Sequence, residues 1–199
     1  NILSFEKLPL QISYSGTLIE DGEKLKGIFV QGVPLSLLLE RVDEFPELVR
    51  PQTPTPPFPY ASTDVEYTNR ESGLKLAGTL TVPREGRRLT AAILITGSGR
   101  QDRNETILEH KPFWVIADYL SSLGYGVLRY DDRGTYKSEG DFSSATTFDL
   151  ANDAQAAVQF LINDERVRPD QVLVAAAHHV TSAISTLKRK MCVWGGELS

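Results

Sequence analysis

Cysteine, histidine and excess positive charge are all scarce in this chain, and each shortage counts against a class of chemistry. Cys192 is the only cysteine in 199 residues, so neither an intrachain disulfide nor a cysteine-based metal site can form. The histidines are three, His110, His178 and His179. Adjacent residues such as the last two rarely converge on one ion, so His178 and His179 are read as solvent-facing or near a helix cap rather than as metal ligands with His110 or Asp131, and no metal is expected. The net charge of -5 leaves no basic face for nucleic acid. The one dense basic cluster, Lys188-Arg189-Lys190, suits the last turn of a helix. No apolar run has membrane-spanning length and no signal-peptide pattern opens the chain, so no membrane partner is expected. Gly97-Ser98-Gly99 lacks the third glycine of a dinucleotide site and the Gly-Lys-Ser/Thr of a P-loop, so no cofactor is expected either.

What the chain does have is ordinary globular composition, 41% hydrophobic and 24% charged, and enough length for one medium domain with a small appendage. Residues 1–44 read as a β-rich appendage. Leu10, Ile12 and Tyr14 alternate with polar residues, Gly16 and Asp21-Gly22 are turn signals, and Lys24 to Gln31 suggests a further strand. Leu35 to Leu39 fits strand or helix. Residues 45–60 hold Pro46, Pro51, Pro54, Pro56, Pro57 and Pro59, a density that favours a stiff linker.

Residues 61–199 are read as an α/β domain. Asp64 to Tyr67 and Leu74 to Val82 form an opening hairpin around the turn Asn69 to Gly73. Ala91 to Ile95 then reads as a buried strand that breaks into Gly97-Ser98-Gly99, where backbone N–H groups can meet an anion or a developing oxyanion. Phe113, Ile116, Ala117, Leu120 and Leu123 have the spacing of one helix face, with Pro112 in the first turn and Gly124 at the end. Gly126 to Tyr130 is a second buried strand, followed directly by Asp131-Asp132-Arg133-Gly134. A second helix over Phe148 to Ile162 and a strand over Gln171 to Ala176 complete the pattern. Strands alternating with helices predict a mostly parallel sheet. Asp149 and Asp153 suit the dipole and cap of the second helix, and Val180, Ala183, Ile184, Leu187 and Met191 predict a further one.

Two stretches carry a family resemblance. I-L-I-T-G-S-G-R-Q-D-R-N-E (93–105) resembles the oxyanion loop of a bacterial serine esterase group of the α/β-hydrolase superfamily, related to the S9 prolyl-oligopeptidase and acyl-peptidase enzymes. G-V-L-R-Y-D-D-R-G-T-Y-K-S-E-G (126–140) resembles that group's D-x-R-G-x-G-x-S-x-G segment, with Tyr136 where the family usually has glycine. R-P-Q-T-P-T-P-P-F-P-Y (50–60) and L-A-G-T-L-T-V-P (76–83) resemble the group's lead into the domain. The resemblance implies a partial α/β-hydrolase fold and descent from a carboxylic ester hydrolase. It makes Gly97, Ser98, Gly99 and Arg100 the oxyanion-hole candidates, with Ser98 disfavoured as nucleophile, and gives Asp131, Arg133 and Gly134 a structural loop role. A bacterial protein exported with its signal removed fits a chain that starts at Asn1, though no residue names a compartment.

The expected G-x-S-x-G elbow is not there. Ala176-Ala177-His178-His179-Val180 follows the last predicted strand, and His178 stands at the nucleophile position. Ser182 lacks glycine neighbours and Cys192 reads as an incidental thiol. The family's acid and base lie on later strands. The expectation is therefore a chain without the Ser/Asp/His triad, inactive as it stands, with natural divergence, truncation and a reading-frame change near residue 174 as open origins. A non-catalytic acyl- or anion-binding module and a misassembled fragment are the alternatives. The expected partner is a small ester or acyl ligand, with self-association through an uncovered sheet edge.

Overall fold

In the computed structural model, residues 2–7, 11–44, 49–85, 88–97, 99–176 and 192–193 are described. The chain forms two compact units, Asn1–Val49 and Arg50–Ser199.

The first unit is an antiparallel meander of β1 (Ile2–Lys7), β2 (Ile12–Ile19), β3 (Lys24–Gln31) and β4 (Val33–Glu40), hydrogen-bonded in that order. The Leu35 to Leu39 stretch is thus strand, and β1 is an element the sequence pattern did not mark. Register sets Phe5, Tyr14, Phe29 and Leu35 in one row across the sheet. Side chains alternate faces along a strand, so that row shares one apolar face. Tyr14 is buried and its hydroxyl donates to the carbonyls of Leu25 (3.0 Å) and Leu37 (3.3 Å). Gly16 makes room for that ring, since a Cβ there would come within 2.6 Å of the tyrosine oxygen.

The second unit contains β5 (Tyr60–Thr68), β6 (Lys75–Pro83), β7 (Leu89–Ile95), α1 (Pro112–Ser122), β8 (Gly126–Tyr130), α2 (Thr147–Asn163), β9 (Val167–Ala176) and β10 (Cys192–Val193). Its six-stranded sheet has the order β10-β9-β7-β8-β6-β5. β5 pairs with β6 and β6 with β8 antiparallel, while β7, β8, β9 and β10 run parallel. This is the predicted mostly parallel sheet with an antiparallel opening hairpin. β9 starts at Val167, ahead of the expected Gln171. The helix expected over 180–191, with His178, His179 and Ser182, lies outside the described residues.

The two helices cover opposite faces of this sheet, and β7 shows why its sequence is apolar from Ala91 to Ile95. Ala91, Ile93 and Ile95 pack with Ala154, Ala157, Val158 and Leu161 of α2. Leu94, between them in sequence, packs with Phe113 and Ala117 of α1 and with Val127. A strand buried on both faces reads as a continuous apolar run rather than an alternating one. The helix boundaries follow from local chemistry. Pro112 opens α1, and Gly124, at φ +97°, follows its end. Thr146 and Asp149 form a reciprocal capping box at the start of α2.

Candidate active-site scaffold

β7 and β8 are parallel neighbours, so the loops that leave their carboxyl ends emerge side by side, where open α/β sheets place ligands. The loop after β7 begins with Thr96 and Gly97, and the loop after β8 begins with Asp131. Asp132 ties the two together. It accepts from the Thr96 hydroxyl (2.7 Å) and from the Gln101 N–H (2.9 Å), and its own N–H donates to the Gln101 carbonyl (3.1 Å). Burial pushes the Asp132 carboxyl up to about 6, against the pull of the Thr96 and Gln101 hydrogen bonds.

That shift has a definite sign. A carboxyl raised in the fold takes up its proton on folding between its ordinary value and about 6. Its stabilising contribution is therefore full below pH ~4 and lost as pH rises through about 6, on the order of 3 kcal/mol in all. The difference in unfolding free energy between the chain and Asp132→Asn, followed from pH 4 to 7, should shrink or reverse in that sense. A flat difference would show that burial does not govern this carboxyl.

Gly97 is the first of the oxyanion candidates, and its N–H is engaged. It donates to the Glu105 carboxylate at 2.8 Å. An anion thus sits on the donor where the resemblance expects one, supplied by the same loop. Gly99 has φ +87°, a conformation that favours glycine, and Arg100 is exposed. Ser98 lies outside the described residues.

Asp131 is fully buried and anchors the next turn of the loop. Its carboxylate receives Arg103 in a fork, from Nε at 3.0 Å and from a terminal nitrogen at 2.6 Å, and also takes the Arg103 backbone N–H at 2.8 Å. The other terminal nitrogen of Arg103 reaches the Gly78 carbonyl (2.7 Å), the Thr79 hydroxyl (2.8 Å) and Asp64 (3.2 Å). One arginine thereby joins the β7 loop, the β8 loop and the β5–β6 hairpin. Ser138 closes the circuit, donating to the Asp131 carbonyl (2.7 Å) and accepting from the Ala77 N–H (3.0 Å).

Arg133 turns the other way. Its Nε meets Asp153 at 2.7 Å, and a terminal nitrogen meets the other oxygen of Asp153 (2.9 Å) and the Asp149 carbonyl (2.9 Å). Asp153 also accepts from Asn69 at 2.6 Å. The sequence reading of Asp153 as a cap residue is corrected here. It lies inside α2, is 1% exposed, and neutralises a buried arginine, whereas Asp149 completes the capping box with the N-cap Thr146. Gly134 follows at φ +69°. Tyr136, the departure from the family glycine, has φ +48° and an exposed ring 5.8 Å from the Arg103 guanidinium carbon.

Arg103 and Glu105 are the residues that sequence reasoning left without a role, although both stand in the 93–105 stretch that carried the resemblance. The signal available was the cluster of charged residues Asp102, Arg103 and Glu105 in the loop after a buried strand. Beneath Gly97 lies a cavity of about 20 Å³, bounded by Thr96, Tyr130, Asp132 and Asp153 among others, a volume suited to a single water. Among the described residues no serine hydroxyl, imidazole and carboxylate form a hydrogen-bonded line, and no three potential ligands converge as a metal site.

No family model matches the chain. Esterase EstD of Thermotoga maritima is 36% identical over 112 residues, which are 56% of this chain and 26% of that protein, so the match spans only a minor part of the relative. Among solved structures, the α/β hydrolase GrgF from Penicillium sp. sh18 superposes with a TM-score of 0.55 at 24% identity, over 66% of this chain and 43% of the other. A Pyrococcus furiosus esterase gives a TM-score of 0.52 at 25% identity, over 67% and 47%. The strand order and these likenesses together identify the second unit as a partial α/β-hydrolase fold.

Proposed function

We propose that this chain carries the oxyanion-loop side of a carboxylic ester (acyl) hydrolase site, related to the S9 prolyl-oligopeptidase and acyl-peptidase enzymes, and that it does not turn over esters as it stands. The observation that supports the reading most is the Gly97 N–H at the carboxyl end of β7, held against a carboxylate oxygen at 2.8 Å. A preorganised donor at that place is what acyl transfer needs for the charge that develops on the carbonyl oxygen. In this reading Gly97, Ser98, Gly99 and Arg100 form the donor loop, while Asp131, Arg133 and Gly134 hold its support. His178 stands at the nucleophile position in this reading.

The same Glu105 contact favours a second reading, a non-catalytic module that binds a carboxylate or acyl ligand. β5 ends the sheet among the described residues, and a free strand edge adds self-association to the proposal. Two measurements separate these readings. Highly purified chain is expected to leave a short p-nitrophenyl ester unhydrolysed, and turnover abolished by a serine-directed fluorophosphonate would sink the inactivity proposal. In calorimetry, acetate is expected to bind Glu105→Gln about three- to tenfold more tightly than the unaltered chain, because the internal anion no longer competes. Equal or absent binding in both would remove the anion-module reading.

A further inference from the structure

A cavity lies away from the β7 and β8 loops, between α2 and the end of β5. Its volume is about 770 Å³, within the ~300–1,000 Å³ of small-molecule sites. Helical spacing places Asn152, Gln155, Gln159 and Asn163 along one wall, so four carboxamides share a face. Asn152 donates to Glu71 at 2.6 Å. Gln155, Gln159 and Asn163 are exposed and have no side-chain hydrogen-bond partner among the described residues. The apolar part of the lining is Tyr67 stacked on Phe160, ring centroids 5.5 Å apart at 27°. Tyr67 is 7% exposed, and its hydroxyl is buried without a partner.

The charges around the cavity largely cancel. Arg166 is held by Asp164 at 2.7 Å, leaving Arg70 opposed by Glu165 and Glu71. An anion meets more negative than positive charge there, and a purely apolar ligand strands the carboxamides. We propose that this cavity binds a neutral pyranoside, a single sugar ring or a short chain of them. Each carboxamide both donates and accepts, which matches vicinal hydroxyls that do the same. The C–H face of a sugar ring packs against aromatic carbon, which the half-buried Phe160 ring, backed by Tyr67, supplies. The site is independent of the acyl-hydrolase reading, since its lining includes none of residues 97–105 or 131–134.

The test is a titration of the full 199-residue chain, labelled with nitrogen-15, with methyl β-D-glucopyranoside, cellobiose and nicotinamide, read by nuclear magnetic resonance. The sugars are expected to shift the side-chain amide signals of Gln155 and Gln159 in a saturable way, with a Kd on the order of 1 mM or tighter. The double variant Gln155→Leu, Gln159→Leu, altered only at exposed positions, is expected to weaken sugar binding about tenfold with an unchanged Tm. Saturable binding of nicotinamide without the sugars would overturn the ligand class. Absence of shifts up to about 50 mM sugar, or equal binding by the double variant, would overturn the site.

Discussion

Asp131→Ala is expected to destabilise the second unit by about 3–5 kcal/mol, a large share of the ~5–15 kcal/mol typical of a folded domain. The carboxylate is fully buried, and the Arg103 side chain it forks with is only 7% exposed. Removing the carboxylate leaves a guanidinium in the interior with the Gly78 and Thr79 oxygens and a longer contact to Asp64. Hydrogen bonds to neutral groups do not replace a counter-charge, and Asp64, at 3.2 Å with a side chain 61% exposed, is a solvent-screened one, so most of the desolvation cost is uncovered. Urea unfolding should place the midpoint well below that of the unaltered chain. Adding Arg103→Met to the altered chain should restore part of the loss, because no stranded charge then remains. If the two changes cost the sum of their separate effects, the ion pair is not the cause.

Gly134→Ala should cost roughly 2–4 kcal/mol, for two reasons that can be separated. The residue has φ +69°, which an L side chain adopts at a penalty, and a Cβ there would stand 2.8 Å from the Gly140 carbonyl and 2.9 Å from the Phe142 nitrogen. Both obstacles are backbone atoms, so neither can rotate away. Gly73 supplies the control. Its φ is +74°, and nothing lies within 4 Å of a Cβ built on it. Gly73→Ala is therefore expected to cost only the conformational part, ~1–2 kcal/mol. Equal losses at the two positions in denaturant unfolding would eliminate crowding as a term.

These two sites mark where the sequence was readable and where it was not. The elements themselves were legible because their signals are local. Pro112 and Gly124 bracket α1, Asp149 marks the first turn of α2, and the apolar run from Ala91 to Ile95 gives β7. The loops were legible only as motifs. Nothing within ten residues of Arg103 says that its partner is Asp131, 28 positions on, or that Asp153 will serve Arg133 and Asn69 rather than its own helix end. Such pairings depend on which strands become neighbours, and periodicity carries no information on that. β1 escaped notice for a related reason. Its residues are exposed or half-committed, and only the register with β2 makes Phe5 the neighbour of Tyr14.

The strand order also dictates a timetable for synthesis. β8 lies between β6 and β7, and those two strands do not pair with each other. A nascent chain that has emerged only as far as Ile95 therefore presents a hairpin and a separate apolar strand that cannot yet join. Assembly waits until Gly126 to Tyr130 clears the ribosome and inserts as the keystone between them. During that interval the β7 segment is the stretch most in need of a chaperone, because its eventual shields on either side have not been made.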